Sequence, residues 1–226
     1  MKNRKPAILI LAALAGALGG VIATLPKVLP VLRPLLDPAV KQHLPFYAAC
    51  GAAWALLSLY WEKAAKSVAP EAAESQASRR IHVAAVNVAL LLEFLPIRGL
   101  GRFVPVSLPI MWVGIAMLLA GLALALWSRR CLGRNWSDII AVNRDQQLIR
   151  SGPYRWVRHP IYSGLLAMYG GTSLVRGEWI PLTGFVLAAL AYFRKIRLEE
   201  AALSNAFGAE YETYRRSRAA IVPGLF

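Results

Sequence analysis

The chain has 226 residues, 57% hydrophobic and 17% charged, with 26 Lys and Arg against 12 Asp and Glu and a formal net charge of +14. That apolar share exceeds the soluble range and comes in long runs, which excludes an ordinary soluble globule. The basic residues lie between those runs rather than on a basic helix interleaved with aromatics, which excludes a nucleic-acid module. Two cysteines and three scattered histidines give neither a disulfide framework nor metal-ligand spacing.

In chain order the apolar segments are Ala7–Leu25, Phe46–Trp61, Ile81–Ile97, Pro109–Trp127, Ile161–Val175 and Trp179–Phe193. The first follows "MKNRK" and stops at Pro26, an order that also describes a signal peptide. It is long for a signal core, and the later spans keep the chain in the membrane, so retention is expected. The second is short and relies on flanking Tyr and Trp. The third carries Asn87 and Glu93, which have to face protein or water rather than lipid.

Charge orients these segments. The N-terminus, the loop with Lys63, Lys66, Arg79 and Arg80, the stretch Ser128–Pro160 and the tail after Phe193 are rich in Arg and Lys. The alternate loops carry fewer basic residues: Lys27, Arg33 and Lys41 in one, Arg98 and Arg102 in another, Arg176 in the last. The bias predicts six spans with both termini in the cytoplasm. The expected fold is therefore all-α: a polytopic membrane protein with a C-terminal helical hairpin and an amphipathic C-terminal helix. Four spans occupy residues 1–127, and the chemistry-bearing region is 128–226.

The hairpin organises the chemistry. "RGEW" is so short a connection that its two helices have to be antiparallel neighbours, so their cytoplasmic ends meet. One end carries "RHPIYSG", where Pro160 suits the first helical position and leaves His159 at the helix start, with Tyr162 three residues on. Free N–H groups at that start and the charge of Arg158 favour an anionic group, while Gly152 and Gly164 let backbones approach. Arg155 and Trp156 read as headgroup-level anchors.

The other end carries "FRKIRLEEAAL", with Arg194, Glu199 and Glu200. A bland account pairs Lys195 with Glu199 and Arg197 with Glu200 as solvated helix pairs, each worth about a few tenths of a kcal/mol. Bringing His159 and Arg158 beside the acids argues against it. Beyond them Leu203, Phe207, Tyr211 and Tyr214 form an apolar-aromatic helical stripe, followed by Arg215, Arg216 and Arg218, which suit an anionic leaflet. Such a helix lies on the membrane and roofs the hairpin's mouth.

"GPYRWVRHPIYSG" followed by "RKIRLEEAALSNAFGAEYETYRRSRAAIVPGLF" resembles the isoprenylcysteine carboxyl methyltransferase family, which is related to membrane phospholipid methyltransferases. The resemblance covers about the C-terminal half, from "LGRNWS" onward. It implies S-adenosylmethionine as cofactor, bound without a Rossmann fold, and the chain has no GxGxxG. It places Tyr154, Arg158, His159, Tyr162, Gly164 and Glu199 at the cofactor, and Arg194, Glu199 and Glu200 at the catalytic centre. It implies a lipophilic acceptor: an isoprenylcysteine-like carboxylate first, a phospholipid amine or a thiol as alternatives. No metal is called for.

A sterol-type reductase using NADPH shares similar C-terminal helices, but the paired glutamates speak for the methyltransferase branch. A transporter would show repeats or paired broken helices, and none is apparent. Ala- and Arg-rich usage hints at a bacterial plasma membrane.

Overall fold

The computed structural model describes residues 42–64, 74–95, 100–136 and 147–224. The expected first span, Ala7–Leu25, lies outside the described residues, as do Lys27, Arg33, Lys41, Lys66 and Arg98. The chain divides into two compact units, Met1–Ala64 and Ala65–Phe226. In the first, α1 (Leu44–Ala64) buries Phe46, Cys50, Ala53, Trp54 and Leu57 along one face.

The second unit contains α2 (Gln76–Phe94), α3 (Leu108–Leu132), α4 (Pro160–Arg176), α5 (Trp179–Phe207) and α6 (Ala209–Ser217), with short 3-10 turns at Gly133–Asn135 and Gly152–Arg155. The described residues hold no strand beyond two single bridges, Arg102 with Glu178 and Val157 with Ala219. Three described helices, α1, α3 and α5, are long and apolar enough to cross a membrane.

Sequence explains where these helices stop. Ser75 caps α2, its hydroxyl accepting the Ser78 N–H at 3.2 Å. Pro109 and Pro160 open α3 and α4 in the first turn, where no N–H is needed. Gly177, with φ 66°, ends α4 in the left-handed region and donates to the Ser173 carbonyl at 2.8 Å. Helix α5 runs well past Phe193, where the apolar segment ends, because strong helix formers continue to Phe207; Gly208, with φ 52°, then breaks it. Glu199 and Glu200 therefore sit inside a helix, and the aromatic stripe is divided between α5 and α6.

The antiparallel hairpin of α4 and α5 is present, yet each arm packs most extensively on another helix: α4 on α3, and α5 on α2. The α3–α4 contact is made at glycines. A Cβ on Gly121 would lie 2.5 Å from the Gly164 carbonyl oxygen, and one on Gly171 would lie 2.5 Å from that of Gly114. Small residues at spacings of seven thus bring the backbones together, as membrane helix pairs commonly do. Gly184 brings α5 to the Ala89 carbonyl of α2 in the same way.

Several polar groups inside this bundle find partners within the protein, although the second oxygen of Glu93 accepts no hydrogen bond among the described residues. Glu93 is fully buried and accepts the Ser173 hydroxyl at 3.0 Å, so it faces protein as its position requires. Asn87 bonds back to the Val83 carbonyl at 2.7 Å, and Tyr169 donates to Val86 at 3.1 Å.

Candidate functional site

The turn before α4 and the second half of α5 meet at one place. His159, the residue before Pro160, is 6% exposed and lies between two carboxylates. Its Nδ1 is 3.5 Å from Glu199 Oε2 and its Nε2 is 3.2 Å from Glu200 Oε1. Arg158 Nε donates to the same Glu200 oxygen at 2.8 Å, and the Tyr162 hydroxyl donates to Glu199 Oε1. Two adjacent glutamates can serve two different partners because α5 turns about 100° per residue.

Carboxylates at both ring nitrogens favour a ring with two N–H donors, the imidazolium. Burial pulls the His159 pKa down, but the bonds and charges of Glu199 and Glu200 outweigh it, so the pKa is raised above the ordinary 6.5. The sign follows from linkage. The raised folded-state value means this contact's stabilisation is complete below about pH 6.5 and is lost as pH rises through the raised value. Thermal unfolding of wild type and His159→Gln in detergent is expected to show a gap that narrows from about pH 6 to pH 9. A gap that widens with pH contradicts the assignment.

Aromatic rings continue the site. His159 stacks on Tyr162 at 5.9 Å, Tyr162 on Tyr192 at 5.1 Å, and His82 of α2 meets Tyr192 edge-on at 5.7 Å. The tail closes over the turn through backbone bonds. Arg158 N–H donates to the Ala219 carbonyl and His159 N–H to that of Ala220, both at 2.9 Å, and the Ser163 hydroxyl reaches Ile221 at 2.6 Å. Arg158 Nη1 also binds the carbonyls of Arg215 and Arg218. The Tyr214 hydroxyl donates to the Tyr154 carbonyl at 2.6 Å. Tyr211 and Tyr214 are buried in protein, so the second half of the stripe roofs the hairpin's mouth as expected, but packs on protein rather than lying on a membrane surface.

Arg158, His159, Tyr162, Glu199 and Glu200 thus come together as expected. Tyr154 is buried beside them, its phenol held protonated by burial and by the Glu199 charge. Arg194 and Gly164 do not join the cluster. Arg194 binds the Ser78 carbonyl and hydroxyl on α2; it precedes Glu199 by five residues, about 140° around the helix. Gly164 faces Gly121 and serves the α3–α4 contact. Lys195 leaves its i,i+4 glutamate for Glu74, at 3.1 Å.

Sequence reading missed Tyr192, His82 and Glu74. Tyr192 had a signal: with Lys195 and Glu199 it keeps spacings of three and four, one face of α5. His82 and Glu74 had none, since only the α2–α5 packing brings them near.

Comparison with known proteins locates this arrangement. Residues 109–210 match the phospholipid methyltransferase family. The chain is 35% identical over 94 residues to the protein-S-isoprenylcysteine O-methyltransferase of Schizosaccharomyces pombe, covering 40% of each chain. It is 26% identical over 161 residues to that of Dictyostelium discoideum, covering 69% of this chain and 68% of the relative. A probable protein-S-isoprenylcysteine O-methyltransferase of Oryza sativa subsp. indica is 34% identical over 106 residues, covering 46% of this chain and 56% of the relative. The chain therefore spans 40 to 68% of the length of these curated relatives. Arg158, His159, Tyr162, Glu199 and Glu200 all lie within residues 109–210, the stretch that is similar to the phospholipid methyltransferase family.

Proposed function

We propose that the protein is an integral membrane methyltransferase that uses S-adenosylmethionine to methylate the carboxylate of an isoprenylcysteine-like lipophilic acceptor. The observation that carries this reading is the convergence of Arg158, His159, Tyr162, Glu199 and Glu200 from the start of α4 and from α5, in a chain similar to enzymes named for that reaction.

The donor set fits the cofactor. Arg158 suits its carboxylate, Glu199 and Glu200 suit its ammonium and ribose hydroxyls, and the Tyr162–Tyr192 stack offers ring faces to a sulfonium. Tyr154 shapes the wall. Bound there, S-adenosylmethionine supplies an electrophilic methyl group.

The residues contribute position and a dry setting. A carboxylate acceptor has no proton to lose, so no base is needed, and the buried surroundings favour a step in which opposite charges cancel. Amine methylation of a phospholipid is the second reading, favoured by the family that residues 109–210 match. There a proton has to leave, and Glu199 or Glu200 would take it. The proposed topology has six spans and cytoplasmic termini, so the site opens to the inner leaflet of a bacterial plasma membrane.

Two experiments test this. S-adenosylhomocysteine is expected to raise the unfolding temperature, adding about 2.7 kcal/mol at a hundredfold excess over Kd, while NADPH leaves it unchanged. The reverse pattern rejects the methyltransferase in favour of a reductase. Transfer of labelled methyl groups to a panel of prenylcysteine, phospholipid and thiol acceptors then identifies the acceptor class.

A further inference from the structure

Lys195 lies one helical turn before Glu199 on α5, the i,i+4 spacing at which lysine and glutamate ordinarily meet. Here they part. Lys195 Nζ is 3.1 Å from Glu74 Oε2, while Glu199 accepts from Tyr162 and faces His159. Glu74 comes from the turn just before α2, and its second oxygen accepts the Ser78 hydroxyl at 2.6 Å. The Lys195 and Glu74 side chains are only 7% and 3% exposed. His82, on α2, feels the charges of Lys195, Glu74 and Glu199 alike, so all three lie in one neighbourhood.

A buried ammonium requires a carboxylate, because an uncompensated buried charge is strongly unfavourable. Two glutamates fall within reach of Lys195, one on its own helix and one across the α2–α5 contact. Which of them takes the lysine decides whether Glu199 is free for the site. If Glu199 took it, the carboxylate between His159 and Tyr162 would be neutralised by its own helix.

We propose that Glu74 is a positioning residue: by holding Lys195 it keeps Glu199 out of an intrahelical ion pair and leaves that carboxylate to His159, Tyr162 and the cofactor. The consequence for cofactor binding rests on the methyltransferase reading; the charge arrangement does not. Glu74 also precedes the stretch that matches the family, so this control comes from the N-terminal part of the chain.

The test uses Glu74→Gln, which keeps the shape and an oxygen for Ser78 but loses the charge, and the double variant Glu74→Gln/Lys195→Met, which also removes the lysine. In the single variant Lys195 turns to Glu199, and affinity for S-adenosylhomocysteine falls on the order of tenfold, the scale of one charge-assisted bond. In the double variant affinity returns, because no lysine remains to capture Glu199. A purely structural role predicts a loss in both variants, since neither keeps the ion pair.

A second readout is independent of the cofactor. His159 is one of three histidines, so selective 15N-histidine labelling in detergent follows its titration. The groups facing it are Glu199 and Glu200 from α5 and Tyr162 from α4, with Arg158 adjoining. Its midpoint is expected to fall in Glu74→Gln and return in the double variant. If the midpoint behaves this way while wild type binds no S-adenosylhomocysteine, the methyltransferase reading fails and the role of Glu74 stands. If wild type binds it and the single variant changes neither affinity nor midpoint, or the double variant is no better than the single, the proposal is overturned.

Discussion

Glu200→Ala is expected to abolish methyl transfer, lowering kcat/KM by about a thousandfold or more, and His159→Ala is expected to do the same. One oxygen of Glu200 holds Arg158 Nε at 2.8 Å and His159 Nε2 at 3.2 Å. Removing it leaves two buried cationic groups without that carboxylate, so Arg158 loses the partner that aims it. Removing the imidazole instead leaves Glu199 and Glu200 facing each other with no cation between them, and a carboxylate pair repels. Because the three groups act as a unit, the double variant is expected to lose little more than either single. Both variants should still fractionate with membranes, since α1, α3 and the apolar first half of α5 are untouched. Full activity in either single variant would remove the site assignment.

Gly171→Val is expected to destabilise the fold beyond the usual ~1–3 kcal/mol of an overpacked core, and Gly121→Leu likewise. At Gly171 the added Cβ would lie 2.5 Å from the Gly114 oxygen and 2.6 Å from the Leu118 nitrogen. Both are backbone atoms, so no side chain can rotate aside and the helices have to separate. Arg158 and His159 lead directly into α4 and Tyr162 lies in its first turn, so methyl transfer falls with stability. Gly51→Ala is the control: among the described residues nothing lies within 4 Å of a Cβ there, and alanine in a helix costs nothing or gains up to about 1 kcal/mol. Thermal unfolding in detergent, read beside the transfer assay, checks all three. An unchanged melting temperature for Gly171→Val contradicts the glycine contact.

Local pattern made most of the helices legible. Proline at the start of α3 and α4 and glycine after α4 and α5 mark their bounds. Ends read from apolar runs alone fell short, as at α5, because a helix can outlast its apolar stretch when the residues beyond are good helix formers. The site was legible where proximity follows from chain connection: a tight hairpin obliges His159 and Glu199 to share one end of the bundle. Arg194 shows the limit of that argument. The hairpin puts it at the correct depth, but its angle around α5 turns it toward Ser78.

Connectivity and composition alone established an apolar helical chain, a short hairpin, and the gathering of Arg158, His159, Tyr162, Glu199 and Glu200 at one end. These depend on residues a few positions apart, or joined through a single tight turn, where the covalent backbone restricts the geometry. The folded molecule was needed to show that α4 leans on α3, that the tail's tyrosines are buried in protein, and that Lys195 chooses Glu74 over Glu199. Those outcomes are competitions between partners distant in the chain, settled by which buried surface and which buried charge find the better match.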